Sequence, residues 1–353
     1  KVDDNGLFSF TDLVPGTYYL SMQPEKGYAF TALGKNNVMI TQADGTGMSR
    51  PIELKMGEDF TNAGIGMIVP AVVNGKVFAD ENDNGLMDAG EKGLKGTIVR
   101  LMGENGEAGS ITLGEEAAFC FNSVLPGTYY LQYELPEHGV FTAAVEGGNT
   151  ITGENGVGKG ETFSIHSGYT WDVSLCGGLL LSDITGMAYS DSNGSGDMDA
   201  DEVPVAGLEI ALIPTRSDLP TLTVTTGADG LFAFHDVRSD DYTLRVVCPD
   251  RYVLSRLTGV EMPVAIGKAS QEVNFHLQMG TQWHDQFLGC VLPSTWTGKA
   301  YMDENYDGLR GADEAPAVGE TIVLLDAVTG DRVASGALAL NAGVDMFSCG
   351  YLV

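Results

Sequence analysis

One segment of about 110 residues occurs twice in full and once in part toward each end of the chain. The fold must therefore be built from a unit that small, and one able to sit beside copies of itself. The clearest landmark is a twelve-residue loop. It reads Asp80-x-Asn82-x-Asn84-Gly85 through Glu91, Asp191-x-Asn193-x-Ser195-Gly196 through Glu202, and Asp303-x-Asn305-x-Asp307-Gly308 through Glu314. From Asp80 to Asp191 is 111 residues, and from Asp191 to Asp303 is 112.

The flanks repeat in phase with the loop. Phe78, Tyr189 and Tyr301 stand two residues ahead of the first Asp. A glycine follows the closing Glu by five residues (Gly96, Gly207, Gly319), then an alternating apolar pair: Val99 and Leu101, Ile210 and Leu212, Ile322 and Leu324. Alternation of this kind is the two-residue period of a strand with one buried face. Farther on, Phe8-Ser9-Phe10, Phe119-Cys120-Phe121 and Phe232-Ala233-Phe234 repeat it, and their Phe residues are expected to face a core. Tyr18, Tyr129 and Tyr242 each lie eight residues beyond the second Phe, the first two inside Pro-Gly-Thr-Tyr. Each is expected to pack under a corner with its hydroxyl bonded.

No stretch sustains a helical period, and glycine is abundant at 47 residues. The pattern predicts an all-β chain of tandem Ig-like or prealbumin-like β-sandwich repeats, with about seven strands in each. The expected divisions are 1–71 (the later part of a repeat), 72–184 and 185–295 (whole repeats), and 296–353 (the earlier part of another), with boundaries near Val72, Thr185 and Trp296. The terminal parts are expected to reflect either a cut from a longer array or pairing with neighbours in a polymer.

The loop spacing has a chemical reading. Calcium takes about six to eight oxygen ligands at roughly 2.3–2.6 Å and accepts irregular geometry. Side-chain oxygens on alternate residues of a tight loop converge on one point, glycine at the sixth position permits the turn, and a Glu at the twelfth can reach back with both oxygens. The candidate ligands are Asp80, Asn82, Asn84, Asp88 and Glu91, with the Leu86 carbonyl. They recur as Asp191, Asn193, Ser195, Asp199 and Glu202, with the Asp197 carbonyl, and as Asp303, Asn305, Asp307 and Glu314, with the Leu309 carbonyl. Gly311 at the ninth position leaves room for a water, and Ser195 is a weaker ligand than Asn or Asp. The alternative is three solvated Asp/Asn/Gly turns. Strands flank these loops, so they are not helix–loop–helix hands.

The formal charge is −29. Such a surface excludes nucleic acid and anionic membrane as partners, and no run approaches the roughly 20 apolar residues of a spanning helix. Five cysteines (Cys120, Cys176, Cys248, Cys290, Cys349) show no repeated pair, with Cys176 and Cys290 as the nearest to a shared position. They read as small buried hydrophobes. His138, His166, His235, His276 and His284 share no repeat phase, and no nucleophile or phosphate-binding motif is present, so no enzymatic activity is expected. Trp171, Trp283 and Trp296 read either as sheet-packing residues or as a sugar-stacking surface.

On the motif aromatic-x-Asp-x-Asn-x-Asp/Asn-Gly-x5-Glu, then Gly-x-x-apolar-x-apolar, then Phe-x-Phe, then Pro-Gly-Thr-Tyr, the chain resembles the B-type repeats of serine-aspartate-repeat surface proteins of Gram-positive bacteria, relatives of collagen-adhesin B domains. The resemblance implies calcium-stiffened sandwiches in tandem, forming a stalk at the cell wall that projects a ligand-binding head. Implied partners are neighbouring repeats of the same array, and a host or cell-surface ligand met through regions outside these residues. Readings as an adhesive module or as a subunit of a polymerising fibre stay open. The Lys–Asn crosslink found in related domains is not expected throughout, because Lys76 and Lys299 correspond to Met187.

Overall fold

The computed structural model describes residues 2–34, 37–61, 63–255, 259–265, 267–294, 297–319, 321–325, 330, 332–337 and 347–348. Trp296 and Cys349 lie outside the described residues. Every regular element among the described residues is a strand. The chain divides into two compact units, Lys1–Leu179 and Leu180–Val353.

The second unit shows the sandwich most plainly. One sheet orders Leu231–Val237, Ser182–Ser190, Gln282–Val291 and Val253–Leu254; the other orders Leu222–Thr225, Glu209–Pro214, Asp240–Val247 and Ser270–Leu277. The Ser182–Ser190 strand pairs antiparallel with Leu231–Val237 but parallel with Gln282–Val291. The parallel pairing joins the first strand of the repeat to its last. Alternation buries one face of each strand. Phe232 and Phe234 are buried while Leu231 is exposed, and Ile210, Leu212, Leu244 and Val246 meet them from the opposite sheet. Each fully buried side chain of this size contributes about 1.5–3 kcal/mol relative to exposure.

The first unit contains the same plan. Ala118–Val124, Ala71–Ala79, Cys176–Leu180 and Gly139–Phe141 form one sheet, with Thr170–Asp172 also pairing to Ala71–Ala79. Gly106–Thr112, Ile98–Gly103 and Gly127–Glu134 lead the other. Val99, Leu101, Phe119, Phe121 and Leu131 fill the space between. Residues ahead of Ala71 form three small sheets of two or three short strands.

The corner tyrosines behave as the sequence indicates. Tyr18, Tyr129 and Tyr242 donate their hydroxyls to the carbonyls of Val14, Leu125 and Arg238, each four residues upstream, at 2.6, 2.9 and 3.0 Å. The expectation for the first Phe pair does not hold, since Phe10 is 66% exposed and Phe8 only half-buried. In the two whole copies that strand rests against a long strand earlier in the repeat, and Phe119, Phe121, Phe232 and Phe234 are buried. Phe8 and Phe10 instead pack edge to face on one another at 6.2 Å.

Burial first, and then the charge of Asp240, pushes the Tyr242 phenol up to about 12 from an ordinary value of 10.0. The unfolded phenol ionises near 10 and the folded one near 12, so this residue's share of stability is complete below pH 10 and is lost as pH climbs to 12. Tyr242→Phe should cost the second sandwich about 1 kcal/mol at neutral pH. It should also make its alkaline loss of stability shallower than in the parent, as measured by denaturant unfolding at a series of pH values.

Candidate metal centre

Each loop hangs between the first strand of its repeat and the edge of the next segment. A bridge closes its base at the same place in all three copies, Phe78 to Gly93, Tyr189 to Pro204 and Tyr301 to Pro316. In the two whole repeats the backbone N–H of the first Asp also donates to the last strand: Asp80 to the Gly178 carbonyl and Asp191 to the Cys290 carbonyl, each at 3.0 Å. The loop is thereby fixed to both chain ends of the sandwich that carries it.

One hydrogen-bond frame recurs inside the loops. The first Asp accepts two backbone N–H groups, from the fifth and sixth residues: Asn84 and Gly85 to Asp80 at 3.0 and 2.7 Å, and Ser195 and Gly196 to Asp191 at 3.0 Å each. Asp307 and Gly308 donate likewise to Asp303 at 3.2 and 2.9 Å. The closing Glu accepts from the second and ninth residues: Glu81 and Asp88 to Glu91, Ser192 and Asp199 to Glu202, and Glu304 and Gly311 to Glu314. The third-position amides accept too, Asn82 from the N–H of Asn84, Asn193 from Ser195 and Asn305 from Asp307. These bonds tie the acidic and amide side chains of each twelve-residue loop into one shared frame.

The candidate ligands of a loop also touch each other. Asn82 and Asn84 donate their side-chain amides to Asp88 at 2.8 Å each, and Asn193 donates to Asp199 at 2.7 Å. The third loop has no acid at its ninth position, and there Asn305 donates to Asp307 at 2.9 Å. Leu86 and Leu309 donate N–H groups to the side-chain oxygens of Asn84 and Asp307. In the second loop the Ser195 hydroxyl donates to the Asp197 carbonyl at 3.1 Å.

Electrostatics set the first two loops apart from ordinary turns. Asp80 and Asp191 are fully buried, and Glu202 nearly so. Among the described residues, none of Asp80, Asp88, Glu91, Asp191, Asp199 and Glu202 is paired with a cationic side chain. Burial raises the Glu91 carboxyl above the ordinary glutamate value; the N–H groups of Asp88 and Glu81 oppose the rise, and the charges of Asp80 and Asp88 add to it. The Tyr189 hydroxyl, buried and without a hydrogen-bond partner, is pushed above the usual tyrosine range by burial, then by Asp191, Glu202 and Asp197. Asp88 and Asp199 are exposed, but a buried carboxylate such as Asp80 or Asp191 without counter-charge is costly. An all-oxygen donor set with about three carboxylates fits a hard divalent cation of calcium type.

Sequence reasoning passed over the fourth loop position. Asp83, Gly194 and Tyr306 all adopt left-handed backbone, with φ of 55, 70 and 62°, as do the sixth-position glycines Gly85, Gly196 and Gly308 at 78, 81 and 74°. Glycine at 194 was the available signal. A buried hub was also missed. Asn149 donates to the carbonyls of Thr142 and Ile151 and accepts from Ile151 and Gly177, and its own N–H donates to the Gly85 carbonyl at 2.6 Å. It pins the turn of the first loop to the later part of its repeat. Asn37 makes the same pattern, with Thr31, Met39 and Gly66. Val260 takes that place in the second repeat, where the buried Gln286 accepts from the N–H groups of Glu261 and Met262.

The reading of the cysteines needs two corrections. Gly178, not Cys176, is the counterpart of Cys290, because each offers its carbonyl to the first Asp of its loop. Cys120 is exposed and Cys248 half-buried, so among the described cysteines only Cys176 and Cys290 are small core residues. Cys120 points outward because strand alternation sends its neighbours Phe119 and Phe121 inward. Trp171 stacks on Phe163 at 5.6 Å and Trp283 on Phe275 at 6.0 Å. The corner tyrosines Tyr129 and Tyr242 adjoin the same two Phe rings. Each Trp therefore has one ring face occupied within its own repeat, as sheet packing requires.

A twice-built sandwich carrying a shared acidic loop defines a tandem β-repeat protein. The family model described as "SdrD B-like domain" matches residues 72–173 and 182–264, just over half of the chain. The chain belongs to this family. It is 26% identical over 244 residues to serine-aspartate repeat-containing protein D of Staphylococcus aureus (strain Newman), covering 69% of this chain and 18% of that protein. It is 24% identical over 334 residues to Colossin-A of Dictyostelium discoideum, covering 91% of this chain and 3% of that protein. It thus spans a small fraction of the length of the curated relatives it matches. Among solved structures, the Bacillus anthracis TIE protein aligns with 94% of this chain and 60% of its own, at 9% identity and a TM-score of 0.30.

Gly85 and Gly90 both need left-handed backbone, but a Cβ at Gly85 would lie 2.5 Å from the Ala143 carbonyl oxygen, while one at Gly90 meets nothing within 4 Å. Gly90→Ala should cost about 1–2 kcal/mol from backbone conformation alone. Gly85→Ala should cost at least twice as much, read from thermal unfolding of the first repeat.

Proposed function

We propose that this chain is a calcium-stabilised structural segment of an extracellular surface protein, a spacer whose repeats hold their fold by binding Ca²⁺ in the loops opening at Asp80, Asp191 and Asp303. The observation that carries the reading is the recurrent frame. Three loops, far apart in sequence, hold Asp, Asn or Ser, and Glu oxygens in the same bonding pattern, and the two best buried ones have no cationic partner among the described residues. Membership of the SdrD B-like family supports a structural or adhesive role outside the cell.

The chemistry follows from the residues. Backbone N–H groups preset the first Asp and the closing Glu, so little ordering remains when a cation arrives. A bound Ca²⁺ supplies the positive charge that offsets repulsion among Asp80, Asp88 and Glu91, and among Asp191, Asp199 and Glu202. Those residues, with Asn82, Asn84, Asn193, Ser195 and the carbonyls of Leu86 and Asp197, would hold it. The third loop offers Asp303, Asn305, Asp307, Glu314 and the Leu309 carbonyl. Because the folded loop is the form that binds, the ion stabilises its repeat by mass action. Extracellular modules bind calcium with Kd of about 10⁻⁴–10⁻³ M, and calcium at about ten times Kd adds roughly 1.4 kcal/mol per site.

Chelation should lower the melting temperatures of both whole repeats by roughly 5–10 °C. Glu202→Ala should remove the calcium response of the second repeat and leave that of the first. Melting curves indifferent to excess chelator would overturn the reading.

A further inference from the structure

Cys248 and Cys290 are 42 residues apart and come from opposite sheets of the second sandwich, Cys248 just past the end of Asp240–Val247 and Cys290 within Gln282–Val291. The Cys248 thiol donates to the Lys268 carbonyl at 3.7 Å and the Cys290 thiol to the Leu288 carbonyl at 3.8 Å. Cys290 belongs to the buried core and Cys248 packs against it from the half-buried side. Backbone contacts hold both in place. The Cys248 N–H donates to the Ala269 carbonyl at 2.8 Å, and Cys290 is paired with Leu254 in the sheet.

The first repeat provides an internal control. Strand register makes Leu135 the counterpart of Cys248, since Glu134 and Val247 face the equivalent residues Ile98 and Glu209. Gly178 is the counterpart of Cys290. A Cβ built on Gly178 would lie 3.1 Å from Leu135 Cδ1, so side chains at these two positions meet directly across the core. One repeat fills the space with a large residue and none, Leu and Gly. The other fills it with two cysteines. Both members of a touching pair have changed together, into the two residues that can be joined covalently.

We propose that Cys248 and Cys290 form an intramolecular disulfide that staples the two sheets of the second sandwich. Two thiols and one disulfide oxidant, of the oxidised-glutathione class, give one protein disulfide and two molecules of reduced thiol. Cys248 is the more accessible sulfur. Its thiolate attacks the oxidant and releases the first small thiol; Cys290 then attacks the Cys248 sulfur, releases the second and loses its proton to solvent. The neighbouring Cys290 thiol lowers the Cys248 thiol below its ordinary value against the opposing effect of burial, which favours this order of attack. Persistence of the bridge fits an oxidising, extracellular setting, but its formation in vitro does not depend on that reading or on calcium.

The test uses the full 353-residue chain, incubated with oxidised or with reduced glutathione at one fixed calcium concentration. Non-reducing peptide mapping should find the Cys248 and Cys290 peptides linked, two hydrogens lighter than their sum. Closing a loop of this length should raise the melting temperature of the second repeat by roughly 10 °C over the reduced sample. Cys248→Ser should abolish that difference; should the variant fold poorly, the oxidised and reduced parent samples decide alone. Separate glutathione adducts on the two cysteines, or both thiols free for alkylation after oxidation of the folded chain, would overturn the proposal.

Discussion

The capture of two consecutive backbone N–H groups by one buried carboxylate is the interaction on which the rest of each repeat depends. Asp80 and Asp191 do this, and it forces the chain to turn through left-handed backbone at the fourth and sixth loop positions. The same residues tie the loop to the last strand through their own N–H groups. A local acidic turn thus becomes the point at which the beginning and the end of a sandwich are joined. Among the described residues no cationic side chain pairs with these carboxylates, and in the proposed function a hard cation would supply the missing charge.

Much of this was legible in the sequence because it is periodic. Alternation placed Phe232, Phe234, Ile210 and Leu212 in the core, and the eight-residue step from Phe to Tyr marked corners whose hydroxyl bonds are all present. What escaped depends on contacts between distant segments. Asn149 sits in an unremarkable stretch, yet it receives and donates the bonds that lock Gly85 to the later part of the repeat. Phe10 stands in the same Phe-x-Phe pattern as Phe121 and Phe234, yet it is exposed where they are buried. The cysteines were aligned by proximity to repeat ends; hydrogen-bond register shifts that alignment by two residues.

The two whole repeats keep one scaffold and vary its fastenings. The first uses Asn149 where the second uses Gln286, and Leu135 with Gly178 where the second has Cys248 with Cys290. The loop frame, by contrast, is kept even in the third copy, where an acid at the ninth position is replaced by Gly311. Core pins can be exchanged whenever the volume and the polar partners are supplied by other residues. A loop whose oxygens had to meet at one cation would have no such freedom.

The most direct measurement is native mass spectrometry of the whole chain equilibrated with calcium, alongside Asp80→Ala and Asp191→Ala variants. The account predicts three calcium ions on the parent chain at saturating calcium, one fewer on each single variant and two fewer on the double. A parent chain that carries no more calcium than its loop variants would contradict it.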